Sequence, residues 1–233
     1  MAIIEEIPEE IQSSKDIPKE EKQIEPDQDG DIFYDSVDYQ PEELQRLIKE
    51  ATEYKTRGNT YFGQEEYKKA IEEYENALFV CPESLQKDRA IYFANIAACH
   101  LKQNEYKEAR DMCVQALKLD PTYQKALLRK AQSNEKIDTY TSLNEALEDY
   151  KKLHKITKDP YSLRQCQRAE KELPIKAKIK MEKEKEEMLG KLKDLGNTLL
   201  GKFGLSTDNF QLQQDPNGSG GYSVNFVNNN NKQ

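Results

Sequence analysis

Two blocks of this chain carry the same register of small and large side chains. From Ala51 to Ser84 the order is Tyr54, Gly58 and Tyr61, then Ala70, Tyr74 and Ala77, then Pro82. From Ala90 to Tyr123 the same offsets hold Phe93, Ala97 and His100, then Ala109, Cys113 and Ala116, then Pro121. Small residues recur where two helices must approach closely, bulkier ones fall between them, and a proline closes each block. A helix–turn–helix unit of about 34 residues cannot bury its apolar face alone and must stack on a neighbour. The chain is therefore expected to be all-α and to grow as a solenoid.

The offsets are those of the tetratricopeptide pattern. A third copy starts at Gln124 with Leu127 and Ala131 and continues with Ala146, Tyr150 and Leu153. It fits only with about three extra residues between its helices, around Thr139 to Ser142. Five further residues, Leu85 to Arg89, separate the first two copies and read as an extended helix end. Repeats are thus expected at about 51–84, 90–123 and 124–160, within a domain of 44–175. A solenoid end needs a cap, and residues 161–175 supply one with Leu163, Cys166, Ala169 and Leu173. Pro174 kinks or restarts the helix there, because 176–205 again reads as helix, first charged and then amphipathic.

Composition bounds the rest. Charged residues make up 33% of the 233 and apolar ones 36%, with no Trp. That is too polar for a packed core throughout. Residues 1–43 hold 15 acidic and 3 basic side chains, so the remainder carries +4 of the total of −8. This acidic, repeat-free stretch reads as a disordered tail, with a sticky patch at Asp31–Tyr39. It carries no basic, apolar leader, and no apolar run reaches the ~20 residues a membrane crossing needs. A cytoplasmic protein without a transmembrane segment or a nucleic-acid partner is expected. Cys81, Cys99, Cys113 and Cys166 lack paired spacing and are expected as small buried hydrophobes. His100 and His154 are isolated, so no metal or other cofactor is expected. Phosphate-cradling glycine loops, dinucleotide fingerprints, zinc-type His pairs and serine elbows are lacking from the sequence, which points away from an enzyme.

The sharpest polar signal is a set of five. Lys55 and Asn59 are four apart on the first helix of repeat one, and Lys125 and Arg129 are four apart on the first helix of repeat three. Residues at that spacing share a helix face. Asn95 lies on the first helix of repeat two, between the two pairs. Lysines supply point charges, amides supply directional donors, and a guanidinium binds a carboxylate with two bonds. The set reads as a receptor for a chain end that presents two carboxylates. Each charge-assisted bond is worth roughly 1.5–3 kcal/mol, and ordering the peptide offsets part of this. A micromolar affinity, near −8 kcal/mol, is expected. Lys and Arg are 35 of 233 residues, so three prescribed basic positions coincide by chance about once in three hundred trials; a solvated surface is the alternative. Ala98 and Leu101, with Lys102 beside them, are candidates for the groove floor, although core packing explains the two apolar residues equally well.

The strings Lys55-Thr56-Arg57-Gly58-Asn59, Tyr92-Phe93-Ala94-Asn95 and Lys125-Ala126-Leu127-Leu128-Arg129 resemble those of chaperone-binding tetratricopeptide domains. In that family the matching lysine, asparagine, asparagine, lysine and arginine form a two-carboxylate clamp for the C-terminal Glu-Glu-Val-Asp of Hsp70 and Hsp90. All five positions match. The resemblance implies an adaptor or co-chaperone that assists protein folding and binds unfolded protein.

A second feature follows the repeats. Met188, Leu192, Leu195, Leu199 and Phe203 recur at three- and four-residue steps, an amphipathic helix that Gly190, Gly196 and Gly201 weaken by about 1 kcal/mol each. Within 206–233, Asn209–Gln214 and Tyr222–Val227 alternate apolar and polar around a turn-rich Asp215–Gly221, which predicts a small β-hairpin. The tail from Met188 to Phe226 is similar to the C-terminus of the tetratricopeptide repeat protein 1 family, a likeness that extends over about 44–228. It reads as a self-docking cap, as a second interaction stripe for client proteins or another protein, or, third, as a membrane-surface helix. The rival reading of the whole is a signalling scaffold that holds a folded partner such as a GTPase. A further expectation is that the acidic tail competes for the basic groove.

Overall fold

A computed structural model describes residues 39–214 and 222–227. Seven helices follow one another: α1 (Pro41–Gly63), α2 (Tyr67–Val80), α3 (Gln86–Lys102), α4 (Tyr106–Leu119), α5 (Gln124–Ile137), α6 (Tyr140–Ile156) and α7 (Pro160–Leu200). Two 3-10 turns and the antiparallel strands β1 (Phe210–Gln214) and β2 (Tyr222–Phe226) come after. Helices α1 to α6 pack as three consecutive helix–turn–helix pairs, so the predicted tetratricopeptide solenoid is the fold.

Small side chains let the paired helices close. Ala51, Ala70, Ala77, Ala90, Ala97, Ala109, Ala116 and Ala131 are all buried. At Gly58 the fit is tighter than alanine permits, since an added Cβ would sit 2.7 Å from the Tyr74 ring. In repeat two the matching pair is Ala97 and the smaller Cys113. The turns repeat as well. Glu65, Asn104 and Asp138, each seven residues past that small position, are left-handed with φ of 62°, 62° and 57°. A left-handed residue is a local helix stop that asparagine and aspartate tolerate best.

The spacing predicts three extra residues between α5 and α6, but the structure places them inside the helix. Only Asp138 and Thr139 separate α5 from α6. Thr139 and Ser142 form a capping box, so Tyr140–Ser142 become the first turn of α6, which has 17 residues against 14 in α2 and α4. Hydroxyl side chains that compete with a helix in its interior stabilise it at the N-cap. The five extra residues before repeat two mostly extend α3, as expected. Arg89 reaches back from them to donate to the carbonyls of Leu78 and Cys81, both at 2.8 Å, satisfying the end of α2.

Helix α7 packs on α6 through Cys166, Ala169, Leu173 and Ala177, in one core with Leu143, Ala146, Tyr150 and Leu153. It continues through Pro174 without a break. The ring removes one helix hydrogen bond, at a cost of about 3 kcal/mol in a helix interior, which the buried Leu173 and Ala177 on either side offset. Ionic ties add to the junction. Asp138 accepts from Lys180 at 2.8 Å and pairs with Lys176 at 3.1 Å, while Glu184 accepts from the Tyr140 N–H at 2.9 Å.

After α7 the chain folds back along the helix it has just left. Gly204 is left-handed, φ 69°. Asn197 Oδ1 accepts from the Thr207 N–H at 2.6 Å and its hydroxyl at 2.8 Å, and Lys193 pairs with Asp208 at 2.8 Å. Thr207 lies so close that a Cβ at Gly196 would meet it at 2.8 Å. The predicted hairpin then forms, with Phe210 opposite Phe226 and Leu212 opposite Val224. The Phe210 and Phe226 rings meet edge to face at 5.5 Å. Of the acidic tail expected over 1–43, residues 1–38 lie outside the described residues, as do most of its patch and the turn between the strands, whereas Pro41–Glu43 are not tail but the first turn of α1.

Candidate carboxylate-binding groove

The five polar residues lie on α1, α3 and α5, the first helices of the three repeats. Asn59 and Lys125 are exposed; Lys55, Asn95 and Arg129 are half-buried. Two of them are held by direct bonds. Arg129 Nη1 donates to the Ala94 carbonyl at 2.7 Å, which fixes the guanidinium of α5 beside Asn95 on α3. The Tyr74 hydroxyl donates to Asn59 Oδ1 at 2.7 Å. That bond occupies the acceptor of the amide and leaves its NH2 to donate outward.

Charge is left unspent in the same place. Arg57 is paired with Glu73, Lys130 with Asp149, and Arg168 with Glu135. Lys55, Lys125 and Arg129 have no carboxylate partner among the described residues. A neutral carbonyl orients Arg129 without cancelling its charge. Three uncompensated cations and an oriented amide suit a ligand that brings its own carboxylates.

Arg129 also lines an open pocket of about 680 Å³ that includes Phe62, Ala98, Leu101, Lys102 and Tyr150. The three floor residues named from sequence are thus brought together with Arg129. Lys55, Asn59, Asn95 and Lys125 do not line that pocket. Sequence reasoning missed its other walls. Phe62 ends α1, and Lys136 stands two turns beyond Arg129, a spacing that pointed to it. Gln165 and Arg168 reach in from α7, for which repeat spacing gives no signal. Arg168 forms a two-bond pair with Glu135, both at 2.8 Å, and the Tyr150 hydroxyl adds a third bond to that carboxylate at 3.2 Å. The guanidinium holds the Glu135 carboxyl below its usual range, and burial pushes the Tyr150 phenol up.

The other candidate chemistry is inert. All four cysteines are buried and unpaired. Burial raises Cys81 to about 11 and Cys99 and Cys113 to about 12, so these thiols stay protonated. His100 and His154 each meet one glutamate, Glu105 at 2.6 Å and Glu170 at 2.8 Å. Among the described residues no three His, Cys, Asp or Glu side chains gather as a metal site, and no helix is long and apolar enough to cross a membrane. Met188, Leu192, Leu195, Leu199 and Phe203 are all 57–80% exposed, well away from the groove residues in sequence.

The family model of the tetratricopeptide repeat matches residues 90–123, which are α3 and α4. Over 95 residues, 41% of this chain, the sequence is 37% identical to the mitochondrial import receptor subunit TOM70 of Rattus norvegicus, covering 15% of that protein. Over 175 residues, 73% of this chain, it is 31% identical to the DnaJ homolog subfamily C member 7 homolog of Dictyostelium discoideum, covering 31% of it. The chain spans less than a third of the length of these relatives. Among solved structures, the second tetratricopeptide domain of Spaghetti (RPAP3), bound to the HSP90 peptide SRMEEVD, is 31% identical. It covers 50% of this chain and 99% of its own, with a TM-score of 0.44. Residues 90–123 match the tetratricopeptide-repeat model, and the helix pairs on either side have the same fold, so the class defined is a tetratricopeptide-repeat solenoid. Its relatives carry the same repeats within much longer chains.

Proposed function

We propose that this protein is a non-enzymatic cytoplasmic adaptor of the co-chaperone type, which holds the acidic C-terminal peptide of Hsp70 or Hsp90 in a two-carboxylate clamp. Lys55, Asn59, Asn95, Lys125 and Arg129 form the clamp. The observation that carries the reading is the trio of uncompensated cations, with Arg129 locked onto the Ala94 carbonyl and Asn59 turned outward by Tyr74. The terminal carboxylate and the aspartate side chain of a Glu-Glu-Val-Asp end supply the missing negative charge. Ala98, Leu101 and Lys102 then receive the residues upstream. The segment after Met188 supports placing the chain beside the tetratricopeptide repeat protein 1 family.

The test is a calorimetric titration of the full chain with a peptide ending in Glu-Glu-Val-Asp, and with the same peptide amidated at its C-terminus. The free acid is expected to bind with micromolar affinity, and the amide much more weakly because one carboxylate is gone. Lack of saturable binding at hundreds of micromolar free acid, or equal binding of the two peptides, overturns the clamp.

A further inference from the structure

We propose that the distal part of α7 is a self-association surface, and that two copies of this chain pair antiparallel along residues 181–203. Cys166, Ala169, Leu173 and Ala177 face α6 from one side of α7. Met181, Met188, Leu192, Leu195 and Leu199 carry that line onward at steps of three, four or seven residues, so one face serves both halves of the helix. Helix α6 gives out at the level of Glu184, where the Tyr140 N–H meets that carboxylate at 2.9 Å. Beyond it, the same packing face runs on to Leu200, for about 24 Å at 1.5 Å per residue. Among the described residues the returning chain leaves the stripe exposed: Thr207 and Asp208 dock on the flank marked by Lys193, Gly196 and Asn197.

Two properties commit the occupant to a second copy. The first is spacing. Steps of four, three and four from Met188 to Leu199 are those of a coiled-coil seam, which is complementary to another helix of the same period. The second is charge. Residues 182–187 hold four glutamates and two lysines, while 188–209 hold three lysines and two aspartates. An antiparallel pair sets the acidic end of each helix against the basic end of the other, and closes as an isologous dimer. A parallel pair would stack the glutamates on one another. Six apolar side chains, Leu189 included, remove roughly 500–700 Å² per copy. That is below the ~800 Å² per partner of a standard interface, in the range of weak, reversible association.

Sedimentation equilibrium of the full chain from about 1 to 100 µM tests the proposal, the range in which so small an interface is populated. The wild type is expected to dimerise. Leu192→Glu with Leu199→Glu is expected to remain monomeric while still binding the acidic peptide, which shows that the solenoid is intact. Phe79→Glu, at a residue 90% exposed on α2, should dimerise as the wild type does. Orientation is read by air oxidation. Leu192→Cys, at the midpoint of 181–203 and so on the two-fold axis, should cross-link to itself; Met188→Cys, about 12 Å along the axis from its mate, should not, and the wild type, whose cysteines are buried, should not. A monomeric wild type at 100 µM overturns the proposal, as do a double variant that dimerises unchanged and cross-linking through both introduced cysteines. A monomer that sediments with phosphatidylserine vesicles would likewise overturn it, and would assign the stripe to membrane surfaces instead.

Discussion

At the scale of single residues, the proposed function rests on which cations are left unpaired. Arg57 and Arg168 are spent on glutamates, whereas Arg129 is spent only on a carbonyl. Replacing Arg129 by Ala should weaken binding of the acidic peptide roughly 10- to 100-fold, the worth of one or two charge-assisted bonds. Lys125→Ala should cost about 10-fold, because a lysine acts as a point charge without fork geometry. Calorimetry reads both, and unchanged melting temperatures would separate a lost ligand from a lost fold. Tyr74→Phe is a subtler probe. It frees the Asn59 amide to rotate and should weaken the peptide by severalfold without removing any group that touches it. That the five polar residues fall on the first helices of the three repeats was legible from sequence, because helix period and repeat register are both local. The Tyr74–Asn59 bond was not, because it depends on which way one amide is turned.

At the scale of elements, close approach and capping decide the details. Gly58→Ala would press a methyl into the Tyr74 ring and should lower stability by about 1–3 kcal/mol, the usual cost of overpacking, as read by urea unfolding. The Glu135–Arg168 pair ties α5 to α7, and its pH dependence has a definite sign. The Glu135 carboxyl lies below its ordinary value of 4.5 in the folded state. Its contribution is therefore complete above about that pH and is lost as pH falls through the lowered value. Glu135→Gln should flatten the acid limb of the stability profile below pH 4.5 and leave its neutral limb parallel to that of the wild type. The register of α6 shows how sequence reading failed at this scale. About three extra residues were expected between the helices, around Thr139 to Ser142. The side chains of Thr139 and Ser142 bond each other's backbone N–H and start the helix instead. The tie between Glu135 and Arg168 was equally hidden, since 33 residues separate the partners.

At the scale of the whole molecule, charge is divided along the chain. Residues 1–43 carry −12 and the rest +4, so the acidic segment contributes long-range repulsion toward an acidic ligand wherever the two share a Debye length. Removing residues 1–43 should speed association of the peptide at low salt. The difference should vanish as the ionic strength reaches 0.15 M or more, where screening acts within about 8 Å. Stopped-flow rates with and without the segment measure this, and equal rates at low salt would dismiss any influence of the tail. If the α7 overhangs pair as proposed, each dimer presents two clamps, and a chaperone that is itself dimeric would bind with avidity set by the spacing between them.

By itself the sequence determined the repeats, the helices that carry the clamp residues, the cap and the hairpin. Each of these follows from a local period of small, bulky and polar side chains, which a chain displays before it folds. Tertiary structure alone decided that Arg129 is locked on the Ala94 carbonyl, that Arg168 closes the far wall of the groove, and that the packing face of α7 outruns α6. Those facts depend on which distant surfaces meet and where one helix ends against another. No local period encodes such lengths and contacts; they emerge only when the repeats have stacked.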